Sequence, residues 1–381
     1  MNNAFVVDAD SHILEPIDLW ENYLEDKSLL PLAPRFFNDE NGDQQLSMEG
    51  ELLSKKGFGL GGRNVNKKWD RSLGKQRWEE QEPGGFDPHI RIKDMDAAGV
   101  DAGLVFPTIG LRYSGFKDAV LGAACCRAHN KWMADFARPY PDRLFPIAAL
   151  PFQEPALALK ELEFAVEKLG FRGAMIRPNP VGGRNLDHPD FYPIWERAQD
   201  LGCVIAVHEG GNMRNAPQVG RDRFQNWAYL HAVSHSMEMQ MAVMCVTFGG
   251  VLDRYPRLRF SFVEAGGGWL PFWLERLDSH ARRLDWLLPE CKTLPSEAFR
   301  RQCVIQVESD ESTIPMIADL VGEDYIVWGT DYPHFDCNWN GAVEELRSAK
   351  LSRATADKIL GGNLIRFYDL PVGRTRAAAV G

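Results

Sequence analysis

The run Asp8-Ala9-Asp10-Ser11-His12 sets two carboxylates and an imidazole at alternate positions. On an extended strand alternate side chains share a face, so all three point one way. Carboxylates crowded together repel, or stay protonated, unless a cation joins them. A divalent metal accepts carboxylate oxygen and neutral imidazole nitrogen together. The plainer reading is a turn-capping Asp followed by an ordinary His. Three further apolar runs end in the same manner. Cys203–Val207 leads into His208-Glu209-Gly210-Gly211, and Leu258–Val263 into Glu264-Ala265-Gly266-Gly267-Gly268. Tyr325–Trp328 leads into Gly329-Thr330-Asp331-Tyr332-Pro333-His334. Buried acids are rarely left unpaired, and glycines allow close backbone approach. Four such ends in one chain point to a metal site.

Something must bring four distant ends together. Short β-rich runs occur at Ala4–Val7, Ala102–Phe106, Leu144–Leu150, Gly173–Ile176, Cys203–Val207, Leu258–Val263, Val304–Val307 and Tyr325–Trp328. Helical patterns separate most of them, as at Phe116–Ala137 and Glu154–Leu169. Strands alternating with helices suggest a (β/α)8 barrel, whose active face lies at the carboxyl ends of its strands. An open doubly wound sheet is the rival, but no G-x-G-x-x-G opens a helix after the first strand. Residues 1–373 read as a single barrel. The polar, Gly- and Lys-rich stretch 38–85 is a long insertion after strand one, either a lid or interface element or a disordered loop. Residues 374–381 read as a flexible tail.

The chain has 381 residues, and a formal charge of −10 argues against nucleic-acid or anionic-membrane partners. Its seven cysteines show no C-x-x-C spacing and read as reduced thiols of a cytoplasmic protein. The N-terminal residues have neither the basic start nor the apolar run of a signal peptide. Of its many aromatics, Phe106, Trp269, Phe272, Trp328, Tyr332 and Phe335 fall beside the strand ends, as a dry pocket over a metal requires.

Five segments carry a resemblance: VVDADSHILEP; DPHIRIKDMDAAGVDAGLVFPT; GFRGAMIRPNPVGGRNLDHPDFYPIWERAQDLGCVIAVHEG; FGGVLDRYPRLRFSFVEAGGGWLPFWLERLD; and WGTDYPH. The chain resembles the amidohydrolase-related branch of the metal-dependent amidohydrolase superfamily that includes aminocarboxymuconate-semialdehyde decarboxylase. The resemblance implies a distorted (β/α)8 barrel with a divalent metal held by Asp10, His12, His208 and Asp331. Two positions depart from the decarboxylase-like pattern. Asp10 stands where those members begin an H-x-H, and Glu264 stands where they carry a His after strand six. Both changes make the ligand set harder and more anionic, which favours Fe, Mn or a second ion over a single Zn. His235, four residues after His231, sits where a subset with this pattern carries a His, and Glu15 follows His12 by three residues. Both join the candidate ligands. One or two divalent ions per chain are expected.

Asp331 is expected to hold the metal and accept a proton, with His334 or His235 assisting transfer. Arg177 follows strand four and either binds a substrate carboxylate or forms a structural salt bridge. Trp269 is a candidate pocket wall. The leading reading is a hydrolase of a small carbonyl substrate using metal-activated water. The alternatives are a dinuclear Fe or Fe/Mn oxygenase, a non-oxidative decarboxylase, and a non-catalytic partner of an active paralogue. A homo-oligomer, or a hetero-oligomer with a related barrel, is implied by the resemblance.

Overall fold

A computed structural model of the chain describes residues 4–53, 77–210 and 216–372. Eleven strands are numbered here in chain order: β1 (Val7–His12), β2 (Arg35–Asn38), β3 (Gln44–Met48), β4 (Glu51–Leu52), β5 (Ala102–Phe106), β6 (Leu144–Ala149), β7 (Gly173–Ile176), β8 (Val204–His208), β9 (Arg259–Val263), β10 (Cys303–Val307) and β11 (Ile326–Trp328). Eight form one parallel sheet in the order β1-β5-β6-β7-β8-β9-β10-β11. Helices lie between most successive strands, as the barrel expectation requires.

The strands form where the sequence is apolar on both faces. All five residues of β5 and of β8 are buried, the mark of parallel strands covered on both sides. The helices start and stop on local chemistry. Asp87 accepts hydrogen bonds from the amides of His89 and Ile90 at the head of helix Pro88–Ala98. Gly99 ends that helix at φ 73°, where a side chain would be strained.

The first strand runs further than its apolar residues suggest. It spans Val7–His12, because β5 supplies a pairing partner as far as His12. Its register shifts between Asp8 and Ser11, which turns Asp8 out of line with Asp10. Contacts from the chain after β11 close the barrel. Asp331 N donates to Asp10 O at 2.8 Å, and His12 N donates to Tyr332 O at 2.5 Å. Gly329 makes this approach possible, since a Cβ there would lie 2.7 Å from Asp10 Cβ.

The stretch after β1 holds an antiparallel sheet, β2-β3-β4, that begins at Arg35. Its Glu49 carboxylate accepts from the amides of Lys117 and Asp118, at the start of helix Ala119–Ala137. Trp78 donates from Nε1 to Glu15 O at 2.7 Å and fastens the end of the stretch to the barrel. The described parts of 38–85 are therefore ordered against the barrel. Residues 54–76 of that stretch, and the expected tail 374–381, lie outside the described residues. Among the described residues, no helix is long and apolar enough to cross a membrane.

Candidate metal centre

Four strand ends meet at the barrel mouth. Asp10 Oδ1 lies 3.3 Å from both His12 Nε2 and His208 Nε2. The two imidazole nitrogens are 3.1 Å apart. Asp331 Oδ1 is 3.2 Å from His12 Nε2 and 2.7 Å from His334 Nδ1. Asp10, His12 and His208 are fully buried, and Asp331 and His334 nearly so. Two groups thus share His12: Asp10–His12–His208 and His12–Asp331–His334. The far side of each strand-end imidazole is held. His12 Nδ1 meets Pro107 O at 2.8 Å, and His208 Nδ1 meets Glu209 O, so each ring turns Nε2 toward the shared centre.

The residues fit a divalent ion. Asp10 Oδ2 is buried without a hydrogen-bond partner. A carboxylate oxygen stranded in this way is costly, and a cation relieves it. The charges agree. Burial works against an ionised Asp331, but His334 and His12 outweigh it and hold the acid down at about 2. Burial also disfavours a charged His12, yet Asp10 and Asp331 hold its pKa well above the ordinary value. In the absence of a metal, a proton on His12 takes the cation's place.

A third group adjoins the first two. His231, His235 and Glu264 bring ligand atoms within 4.8 Å of one another. Glu264 Oε1 is 3.6 Å from His235 Nε2, and Oε2 is 3.2 Å from His208 Nδ1. Helix Trp227–Phe248 presents both histidines one turn apart, with ring centroids 4.1 Å apart. Burial opposes charge on His235, but Glu264 raises its pKa to about 9. Partly buried Glu308, at the end of β10, is pushed up to about 9 by burial and by the charge of Asp331. The mouth therefore carries more acid than its own cations neutralise.

Backbone and supporting side chains fix these positions. Asp331 and Glu264 sit at φ 59° and 53°, a left-handed conformation that costs about 1–2 kcal/mol per residue outside glycine. Asp8 faces away from the centre and ties its carriers together. Its Oδ1 accepts from the amides of Asp10 and Thr330, and its Oδ2 from Thr330 Oγ1. Burial raises the Asp8 pKa to about 7 despite these bonds.

Several expected site residues are placed elsewhere. Glu15 is not among the converging ligands. Its carboxylate accepts from the amides of Thr108, Ile109 and Gly110 at 2.9–3.0 Å. We expect Glu15→Ala to destabilise the protein by about 3 kcal/mol, since three buried donors lose their acceptor. Urea unfolding measures this, and an unchanged midpoint would contradict it. Arg177 is not open to a substrate. It is fully buried, with Nη2 2.8 Å from Glu209 Oε2 and Nη1 on Leu111 O, so it takes the salt-bridge role. Trp269 donates from Nε1 to Ala265 O and packs on the core. Phe272 is 62% exposed. Of the aromatics, Phe106 does wall the centre, with its ring 5.8 Å from His12 and 5.0 Å from His208.

Thr108, Glu209 and Arg112 belong to this neighbourhood and are not among the residues singled out from sequence. Thr108 Oγ1 lies 3.1 Å from His334 Nε2. The signal for Arg112 is its isolation: it is the one charge in the run from Phe106 to Phe116.

With an eight-stranded parallel barrel and a metal-competent mouth established, comparison with known proteins is informative. The amidohydrolase family profile matches residues 7–370, and the chain belongs to that family. It is a metal-dependent enzyme of the amidohydrolase superfamily. It is 28% identical over 287 residues to 2-amino-3-carboxymuconate-6-semialdehyde decarboxylase of Dictyostelium discoideum, covering 75% of this chain and 77% of the relative. It is 25% identical over 297 residues to gamma-resorcylate decarboxylase of a Polaromonas species, covering 74% and 86%. The fold matches that of 5-carboxyvanillate decarboxylase from Novosphingobium aromaticivorans, solved with manganese and 4-hydroxy-3-methoxy-5-nitrobenzoic acid. That match has a TM-score of 0.71 at 19% identity and covers 97% of each chain.

Proposed function

We propose that the protein is a divalent-metal-dependent, non-oxidative decarboxylase of a small aromatic or enoic acid. Two adjoining groups that share His12, Asp10–His12–His208 and His12–Asp331–His334, carry the reading. The decarboxylase names of its relatives favour this reaction over the hydrolysis that the residues alone first suggest.

Asp10, His12, His208 and Asp331 would hold the ion, and manganese is compatible with their two carboxylates and two imidazoles. When bound, it supplies a Lewis acid that stabilises negative charge on a substrate oxygen. The protein's own residues handle the proton. The bond from carbon to carboxylate breaks, its electron pair stays on the carbon, and CO2 leaves. That carbon then takes one proton. His334 is oriented for delivery, with Nδ1 on Asp331 and Nε2 toward Thr108 Oγ1, and the pair regains the proton from solvent. Phe106 and the buried floor keep bulk water from the carbanion-like carbon.

One observation favours a second reading. The His231–His235–Glu264 group, joined to the first through His208, is suited to a second ion, and two ions would suit the hydrolytic or oxygenase alternatives. One experiment separates them. Protein purified without added metal is analysed for metal content, then assayed for CO2 release from a panel of hydroxybenzoic and muconic acids under argon and under air. One ion per chain and CO2 release under argon are expected. Two ions with a requirement for O2, or acyl hydrolysis without CO2, would overturn the decarboxylase reading.

A further inference from the structure

Arg91 lies on helix Pro88–Ala98 and is only 1% exposed, although it carries a charge. It reaches the seam where the first and last strands of the barrel meet. Its Nη1 donates to His12 O at 2.8 Å. Its guanidinium lies over the Tyr332 ring, 4.1 Å from the centroid. Both contacts fall on segments that carry ligands. His12 ends β1, and Tyr332 directly follows Asp331. The segments also bond to each other, His12 N to Tyr332 O and Asp331 N to Asp10 O. The same helix holds the ring from its far end, since Tyr332 Oη donates to Asp94 Oδ2 at 2.6 Å. Gly84 leaves room for that bond, because a Cβ there would overlap the Tyr332 hydroxyl.

Packing alone does not account for the charge. Arg91 Nε has no hydrogen-bond partner among the described residues. The acids whose charge reaches it are bonded elsewhere, Asp8 to Thr330 and Asp94 to Tyr332. Burial works against its charge, yet arginine stays charged in proteins. A buried cation held without a carboxylate is costly, and an apolar side chain of similar volume would pack there more readily. A guanidinium supplies what that side chain cannot: a rigid fork for a carbonyl, joined to a flat face that stacks on an aromatic ring. Here the two contacts lie on opposite sides of the seam, so one planar group fixes the spacing between them.

We propose that Arg91 is a positioning residue of the metal centre. By gripping His12 O and the Tyr332 ring together, it holds His12 and Asp331 at the spacing an ion requires. The inference rests on the metal-holding part of the proposed function and is independent of the reaction that follows. His12 Nε2 and Asp331 Oδ1 lie 3.2 Å apart but come from opposite ends of the chain. A small slide of either segment would change the direction from which each ligand approaches the ion. With Arg91 in place the two carriers move as one body, and the centre is preorganised before the ion arrives.

Calorimetric titration of the metal-stripped protein with manganese(II) tests this without turnover. Arg91→Met is expected to weaken manganese binding by about 10- to 100-fold, the usual cost of losing a group that orients metal ligands. Arg91→Lys, which keeps the charge and a donor but not the flat face, should recover part of that loss. The visible absorption of the cobalt-loaded protein should shift in Arg91→Met, because the ligand geometry changes. Met95→Ala, buried on the same helix, is the control. It should lower the urea midpoint and leave both metal readouts unchanged. Tyr332→Leu removes the other half of the grip, and the double variant should bind no more weakly than the weaker single variant. Should Arg91→Met fail to fold, Arg91→Lys and Tyr332→Leu decide the same point, since each is expected to lose affinity. Wild-type affinity and spectrum in the folded variants would overturn the inference, as would losses that add in the double variant. A wild type that binds no manganese would sink the metal reading, and this inference with it.

Discussion

Asp331→Asn is expected to lower turnover by about 10²–10⁴-fold in a protein that still folds. The substitution isolates the chemistry. Asp331 sits at φ 59°, and asparagine tolerates that left-handed conformation better than any residue except glycine. The backbone bond from Asp331 N to Asp10 O survives the change. What disappears is the negative charge that both His12 and His334 approach. The metal loses an anionic ligand, and His334 loses the group that orients and recharges it. Steady-state assay with circular dichroism as the folding control decides the matter. Wild-type turnover in Asp331→Asn would show that the centre lies elsewhere.

Chelating the metal is expected to lower the melting temperature by about 5–10 °C. An ion present at about 100 times its Kd contributes about 2.7 kcal/mol. Each kcal/mol shifts the melting point of a large domain by about 2–4 °C. The effect depends on pH, and its sign follows from His12. Without metal, its pKa is held well above 6.5 by Asp10 and Asp331, against the effect of burial. The stability from that charged imidazole is complete below its unfolded value and is lost as pH rises through the raised folded value. Metal binding must displace the same proton, so affinity grows over the same range. The gap in melting temperature between loaded and chelated protein should therefore widen as pH rises from about 6.5, the unfolded imidazole value, toward the raised folded value. Differential scanning calorimetry across that interval measures it. A constant gap would mean that the metal does not compete with the His12 proton.

Much of the fold was legible because burial leaves a plain mark. β5 and β7 fall where their apolar runs stand, bounded by turn residues. The ligands were legible for a related reason. An acid or histidine at the end of a fully apolar strand has no structural excuse, and the structure gathers Asp10, His12, His208 and Asp331 into two adjoining groups around His12. The misplacements arose where a distant partner decides the outcome. Arg177 follows a barrel strand as a substrate-binding arginine would, but Glu209, 32 residues on, claims it. Glu15 lies near His12 in sequence, yet after His12 the chain pairs through Ile13 with Phe106 and carries Glu15 to the amides beyond β5. Asp8 was expected on the face of Asp10, and the register shift in β1 turned it away. Alternation in a strand predicts facing only while the register holds.

The bonds that close the barrel have a consequence for how the protein is made. Asp8 and Thr330, which lock the ligand carriers together, are 322 residues apart. Asp10 and Asp331 meet across the same junction. During synthesis the first strand must wait, its edge unpaired and its acids unneutralised, until nearly all the barrel has left the ribosome. A chain halted before β11 has neither a closed sheet nor Asp331, whose amide meets Asp10 O. Prematurely terminated chains therefore keep an open strand edge that exposes them to proteolysis.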